Sequence, residues 1–243
     1  MIDVKDLFPR IVAVSEDFGK ARNDYVVSHP GFQIERDARI TIFSHCKVVI
    51  DSALLYLAFR TFQLPSDGWW DSLPNEFSKI GISKPLLLKP DPANRKLIIE
   101  AVDSFWSYGS FILLFSSLES STRTIVRTAF RNQFNDGRAN LRDIYRRLLG
   151  ANFSNYECLL ELLRLGRNTM HNNGVYFPET IGDNRHVPYK NKTYDFIDGQ
   201  VVQYGDLPKL LFFDIAPDVL KMIIEIVNSP AVVSHIQIQD PSA

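Results

Sequence analysis

Apolar residues recur at three- and four-residue intervals through most of this chain, a period that puts them on one face of a helix and calls for a bundle. Six helical segments carry the pattern. The first, about Val4 to Val27, is weaker, broken by Pro9 and closed by His29-Pro30-Gly31. The second runs from about Ala38 to Thr61, with Pro65 to stop it. The third is long, about Asn94 to Phe130, and the Asn135-Asp136-Gly137 turn lies just beyond it. A short helix at Leu141 to Leu149 precedes another at about Asn155 to Met170, which Asn172-Asn173-Gly174 caps in left-handed conformation. A last helix spans about Ile215 to Asn228.

Two stretches break the period. Between Gln63 and Arg95 five prolines, Pro65, Pro74, Pro85, Pro90 and Pro92, alternate with Trp69, Trp70 and Phe77. Paired tryptophans suit an ordered insertion rather than a linker. Further on, Thr193-Tyr194-Asp195-Phe196 and Gln200-Val201-Val202-Gln203-Tyr204 flank Asp198-Gly199, which predicts a β-hairpin over 190–205. The expected fold class is therefore mainly α, an up-and-down helical bundle with one small hairpin.

Composition narrows the function classes. Of 243 residues, 45% are hydrophobic and 23% charged, as in an ordinary globular protein, and the net charge of −1 provides no whole-chain field toward nucleic acid or membrane. The apolar runs Val48 to Phe59 and Phe105 to Leu118 fall short of the roughly 20 residues that span a bilayer and read as buried helices. MIDVKDLFPR has acids from its third residue and does not resemble a signal peptide, so a cytoplasmic location is expected. Cys46 and Cys158 are too few for a disulfide framework or zinc site and read as reduced thiols. There is no phosphate-binding glycine loop, Gly-x-Ser-x-Gly elbow, His-Glu-x-x-His helix or dinucleotide fingerprint. His45-Cys46 with Asp51 lacks further ligands at metal-site spacing and reads as a polar spot among packed helices.

The chemistry concentrates in Leu163-Arg164-Leu165-Gly166-Arg167-Asn168-Thr169-Met170-His171-Asn172-Asn173-Gly174. On a helix, Arg164, Arg167 and His171 share a face and continue the stripe of Tyr156, Leu160 and Leu163, so polar groups emerge where a packing face ends. Two guanidiniums can hold a phosphate while an imidazole moves a proton. A plain helix terminus can have the same composition, because cations favour the negative end and Asn-Gly caps it. Local charge weighs toward phosphate. Between Ser121 and Met170 there are nine arginines, at 123, 127, 131, 138, 142, 146, 147, 164 and 167, against Asp136, Asp143, Glu157 and Glu161, a local excess of +5.

Arg167-Asn168-x-x-His171-Asn172-Asn173-Gly174, ending a helix ahead of a hairpin and a last helix, resembles the HEPN superfamily (higher eukaryotes and prokaryotes nucleotide-binding). Ser116-Ser117-Leu118-Glu119-Ser120-Ser121-Thr122-Arg123 resembles that family's acid-containing helix. The likeness spans roughly Ala38 to Asn228 and leaves the 63–95 insertion unexplained. It implies a single HEPN-like domain over 1–243, with 1–35 as a helical extension. It further implies a metal-independent endoribonuclease of toxin or antiphage-defence type, with no cofactor. RNA would be its partner, a homodimer would complete its site, and an antitoxin or other regulatory protein could restrain it; no membrane is involved.

In the family four to six residues separate an arginine with a polar follower from the histidine. Arg167 has that follower, Asn168, but three intervening residues; Arg164 has six but is followed by Leu165. The resemblance assigns Arg167 and His171 as catalytic, with Arg164, Asn168, Asn172, Glu119, Arg123 and Arg127 supporting or binding phosphate. Glu119 would orient an arginine across the helix pair. Asn173 stands where the adenylylated-tyrosine subgroup has Tyr. The alternative is a catalytically inactive HEPN-like module that binds RNA, nucleotide or protein, and a third reading is a structural scaffold in which the motif is only a cap.

Overall fold

The computed structural model describes residues 4–79, 91–131, 133–134 and 140–242. The architecture is mainly helical, with a small two-stranded antiparallel sheet. Helices α1 (Val4–Ser28), α2 (Ala38–Phe62) and α4 (Pro92–Ala129) pack side by side, α1 on α2 and α2 on α4. Helix α3 (Asp67–Lys79) lies in the connection between α2 and α4, while α5 (Leu141–Leu149) and α6 (Phe153–His171) return against α4. After the strands β1 (Arg185–Tyr189) and β2 (Lys192–Phe196), a short α7 (Leu207–Lys209) passes through a π-helical turn, Leu210–Ile215, into α8 (Ala216–Val227), and α9 (Pro230–Val233) comes last. One continuous core of buried apolar side chains joins these elements, α3 excepted.

Pro9 does not break α1. It sits in the second turn, where it removes a single main-chain hydrogen bond near the helix start. Leu7, Ile11, Val14 and Phe18 on either side of it are fully buried, so α1 contributes to the common core. Asp37 caps α2 and Asn140 caps α5, each carboxylate or amide oxygen accepting from a first-turn N–H. Helices α2 and α4 outlast the apolar runs visible in the sequence. Each contains an 18-residue stretch, of mean hydropathy 1.5 and 1.4, long and apolar enough by composition to cross a membrane. In the bundle they pair through Arg60 and Asp103, 3.0 Å apart, with the Tyr56 hydroxyl donating to the same carboxylate.

The described part of the 63–95 insertion packs around its tryptophans. Trp70 is buried and donates to the Leu64 carbonyl at 2.8 Å, and Trp69 meets Phe59 edge-on at 5.4 Å. Pro85, Pro90 and the Asn135-Asp136-Gly137 turn lie outside the described residues, as do Arg138 and the side chains of Pro74 and Phe77.

The hairpin differs from the expected one. Residues 192–196 pair with 185–189, in the register Tyr189↔Lys192 to Arg185↔Phe196, and Lys190 supplies the positive φ of 54° in the tight turn. Asp198-Gly199 does turn the chain, with Gly199 at φ 71°, but it directs Gln200–Val202 elsewhere. That segment bonds to the stretch after α6: Tyr176 N–H donates to the Gln200 carbonyl and Val202 N–H to the Gly174 carbonyl, both at 2.9 Å. Burying Tyr176 against Phe196, edge-on at 5.6 Å, outweighs the local turn signal.

A buried ion pair fixes the C-terminal tail. Arg39 and Asp37 are both inaccessible and pair bidentately, at 2.8 and 2.6 Å. The Arg39 guanidinium also donates to the Val232 and His235 carbonyls and lies 3.5 Å from the Phe32 ring centre. Asp37 additionally accepts from the Ile238 N–H. Removing one member would strand the other in the core. Arg39→Ala should therefore cost about 3–5 kcal/mol, read as a drop in the urea midpoint at unchanged slope; a loss under about 1 kcal/mol would show the pair to be solvated.

Candidate functional site

Helix α6 places the motif because its apolar residues lock it onto α4. Tyr156, Leu160 and Leu163 are buried within this one chain, and the Tyr156 hydroxyl donates to Glu225 at 2.7 Å. The stripe is thus covered within one chain. The last turns approach α4 closely. A Cβ on Gly166 would stand 2.7 Å from Phe111 Cζ, so only glycine permits this contact. Thr169, buried on the same side, shares a 2.5 Å hydrogen bond with the Tyr204 hydroxyl.

The helix ends as the Asn-Asn-Gly signal requires. The Gly174 N–H reaches the Thr169 carbonyl at 2.8 Å, with Asn173 at φ 54° and Gly174 at φ 85°. His171 occupies the last helical position, exposed, with no hydrogen-bond or ion-pair partner among the described residues. Asn168 and Asn172 flank it on the solvent side, the Asn172 amide donating to the Asn168 carbonyl at 3.0 Å.

The arginines expected to act together are held differently. Arg164 turns back onto Glu161, a bidentate pair at 3.0 and 2.7 Å, and hydrogen bonding to that carboxylate pushes its pKa up. It is already occupied. Arg167 is half-buried, lies 5.7 Å from the Phe115 ring centre, and has no carboxylate partner among the described residues. Its Nε is inaccessible and makes no hydrogen bond. A buried donor without an acceptor is exceptional and costs about 1–3 kcal/mol.

Glu119 does not reach across to α6. It pairs with Arg123 on its own helix, at 3.0 and 2.8 Å, both half-buried, because residues four apart are neighbours. Arg127 is exposed near the end of α4, away from His171. The arginine-rich sector is thus partly neutralised: Arg142 pairs with Glu157 and Arg146 with Asp143, besides the pairs at Arg123 and Arg164. Arg147 stacks over Phe130 at 4.5 Å.

The residues missed in the sequence are the aromatics under the site. Phe115 underlies Arg167, Phe111 abuts Gly166, and the Tyr108 hydroxyl would lie 3.5 Å from a Cβ on Gly174. Their three- and four-residue spacing on α4 was the available signal. His45 and Cys46 form no metal site: Cys46 is buried, which pushes its thiol up to about 12, and His45 lies 3.3 Å from the Ser121 hydroxyl and 3.7 Å from Asp240. Among the described residues no group of three or more His, Cys, Asp or Glu is placed to hold a metal ion. Compared with known proteins, the chain matches no family model, no curated protein and no solved structure.

Close packing at Gly166 has opposite consequences for two glycines. Gly166→Ala should destabilise by about 1–3 kcal/mol through overpacking against Phe111. Gly109→Ala, with nothing within 4 Å of its Cβ, should stabilise α4 by about 0.5–1 kcal/mol. Thermal melts of the two variants check the sign of each change; equal behaviour would refute the close packing.

Proposed function

We propose that this chain is a HEPN-like, metal-independent endoribonuclease whose working pair is Arg167 and His171. The observation that carries the reading is the state of Arg167. It is the motif arginine without a carboxylate, its Nε desolvated and unbonded, one helical turn before an exposed histidine at the helix end. The terminal guanidinium nitrogens of Arg167 are then the atoms that would meet an anionic oxygen, beside a group able to carry a proton.

In the proposed reaction an RNA 2′-OH attacks the adjacent phosphorus, His171 moves a proton, and Arg167 stabilises the charge that develops on the phosphorane oxygens. Bond formation at phosphorus expels the 5′-oxygen of the next nucleotide and leaves a 2′,3′-cyclic phosphate. Arg164 contributes field rather than contact, since Glu161 holds it. Family-type toxin or antiphage action, restraint by a partner protein, and a cytoplasmic setting belong to the same reading and rest on the resemblance. So does a homodimer, whose expected light-scattering mass is about twice 27.8 kDa.

One observation favours the second reading, an inactive module that binds RNA, nucleotide or protein. His171 has no hydrogen bond among the described residues to fix its ring, whereas a general acid or base is ordinarily oriented by a neighbour. Incubation of the purified protein with mixed RNA in EDTA separates the two. Cleavage should occur, leave cyclic phosphate ends, spare DNA, and vanish in His171→Ala and Arg167→Ala. Melting temperatures should move little for His171→Ala, a helix-end group worth about 0.3–1 kcal/mol. Intact RNA with wild-type protein would favour the binding module.

A further inference from the structure

A second cationic surface lies along the same helix. Beyond the neutral Glu119–Arg123 pair, Arg127 and Arg131 line a concavity of about 760 Å³ at the end of α4, together with Phe130, Gln133 and His235. No carboxylate among the described residues pairs with Arg127 or Arg131, and both are exposed. Arg147 of α5 lies over the ring of Phe130, 4.5 Å from its centre. Helix-end electrostatics favours a cation both at Arg127, within the last turn of α4, and at Arg131, two residues past the final helical residue, Ala129. The α4 carbonyl end presents roughly half a negative charge, less than the guanidiniums around it.

From Phe115, under Arg167, to Arg127 is twelve residues of continuous helix, about 18 Å at 1.5 Å per residue. No single phosphate reaches both ends. We propose that Arg127 and Arg131 form a backbone-binding subsite for a single RNA strand that extends from the Arg167–His171 pair along α4. The proposal rests on the endoribonuclease reading and deepens it: the substrate is a polynucleotide held by its phosphates, with His235 offering a surface against which an unpaired base can stack. Mononucleotides and very short oligomers would occupy the α6 end alone.

Fluorescence anisotropy of the full chain in EDTA tests this, using labelled 2′-O-methyl oligonucleotides of about 4 and about 16 nucleotides. Arg127→Ala/Arg131→Ala should weaken binding of the long oligomer by about tenfold or more, and make log K against log salt shallower by about 1.4 for two lost phosphate contacts. Binding of the short oligomer should be unchanged, and Arg127→Lys/Arg131→Lys should retain most of the affinity. Equal binding of the long oligomer by wild type and the Ala variant, or no binding by wild type, overturns the subsite. Cleavage of the corresponding ribo-oligomers is read separately. If affinity falls as expected while wild type cleaves neither length, the subsite stands and the nuclease reading falls. If wild type cleaves but the Ala variant binds as tightly, the reverse holds.

Discussion

Everything at the motif end of the molecule depends on how closely α6 can approach α4. Glycine at 166 lets the Phe111 ring occupy space that any side chain would fill, and the Thr169–Tyr204 hydrogen bond secures the contact on the same side. Packed interiors do not deform continuously, so this contact sets the depth and rotation of the last two turns of α6. Arg167 is thereby laid against Phe115, and His171 emerges at the rim. The same depth separates Arg164, which remains near enough to solvent to fold onto Glu161, from Arg167, which does not meet a carboxylate.

Helices were legible because burial of one face writes a period into the sequence that survives local noise. Leu141–Leu149 is marked at both ends, by the Asn140 cap and by Gly150 at φ 56°, and its limits are set directly by them. The left-handed Asn173-Gly174 end of α6 was equally plain. Pro9 misled because proline's penalty depends on how many main-chain bonds lie behind it, and here there are few. The hairpin misled for a different reason. Asp198-Gly199 specifies a turn but not a partner, and the partner was decided by which aromatic, Tyr176 or Tyr204, could be buried where.

The candidate site was legible in its residue types and not in its pairings. Charge counting over 121–170 treats each arginine alike, yet ion pairing separates them, across fifteen positions for Arg142 and Glu157 and by local spacing for two others. Arg123 finds Glu119 four residues back and Arg164 finds Glu161 three back, as neighbours on a helix surface do. Arg167 has neither: position 163 is Leu and position 171 is His, with no acid three or four residues away on either side. Which arginine remained available could thus have been read from local spacing. That Phe115 would lie beneath it could not, since this is a contact between elements more than fifty residues apart.

The two members of the pair are held in opposite ways, and the difference suits their proposed tasks. A group that stabilises charge works best when it is fixed before charge develops, because no reorganisation then accompanies the reaction. Arg167, seated on an aromatic ring with its Nε excluded from water, meets that condition. A group that passes a proton between a hydroxyl and a leaving oxygen must serve two positions, and an exposed imidazole on the final residue of a helix retains the rotation to do so. The helix that orients the pair ends immediately after the histidine, at a left-handed turn that Gly174 and the Val202 contact tie back into the fold. The packing that covers Arg167 therefore gives way to solvent at His171, within a single helical turn.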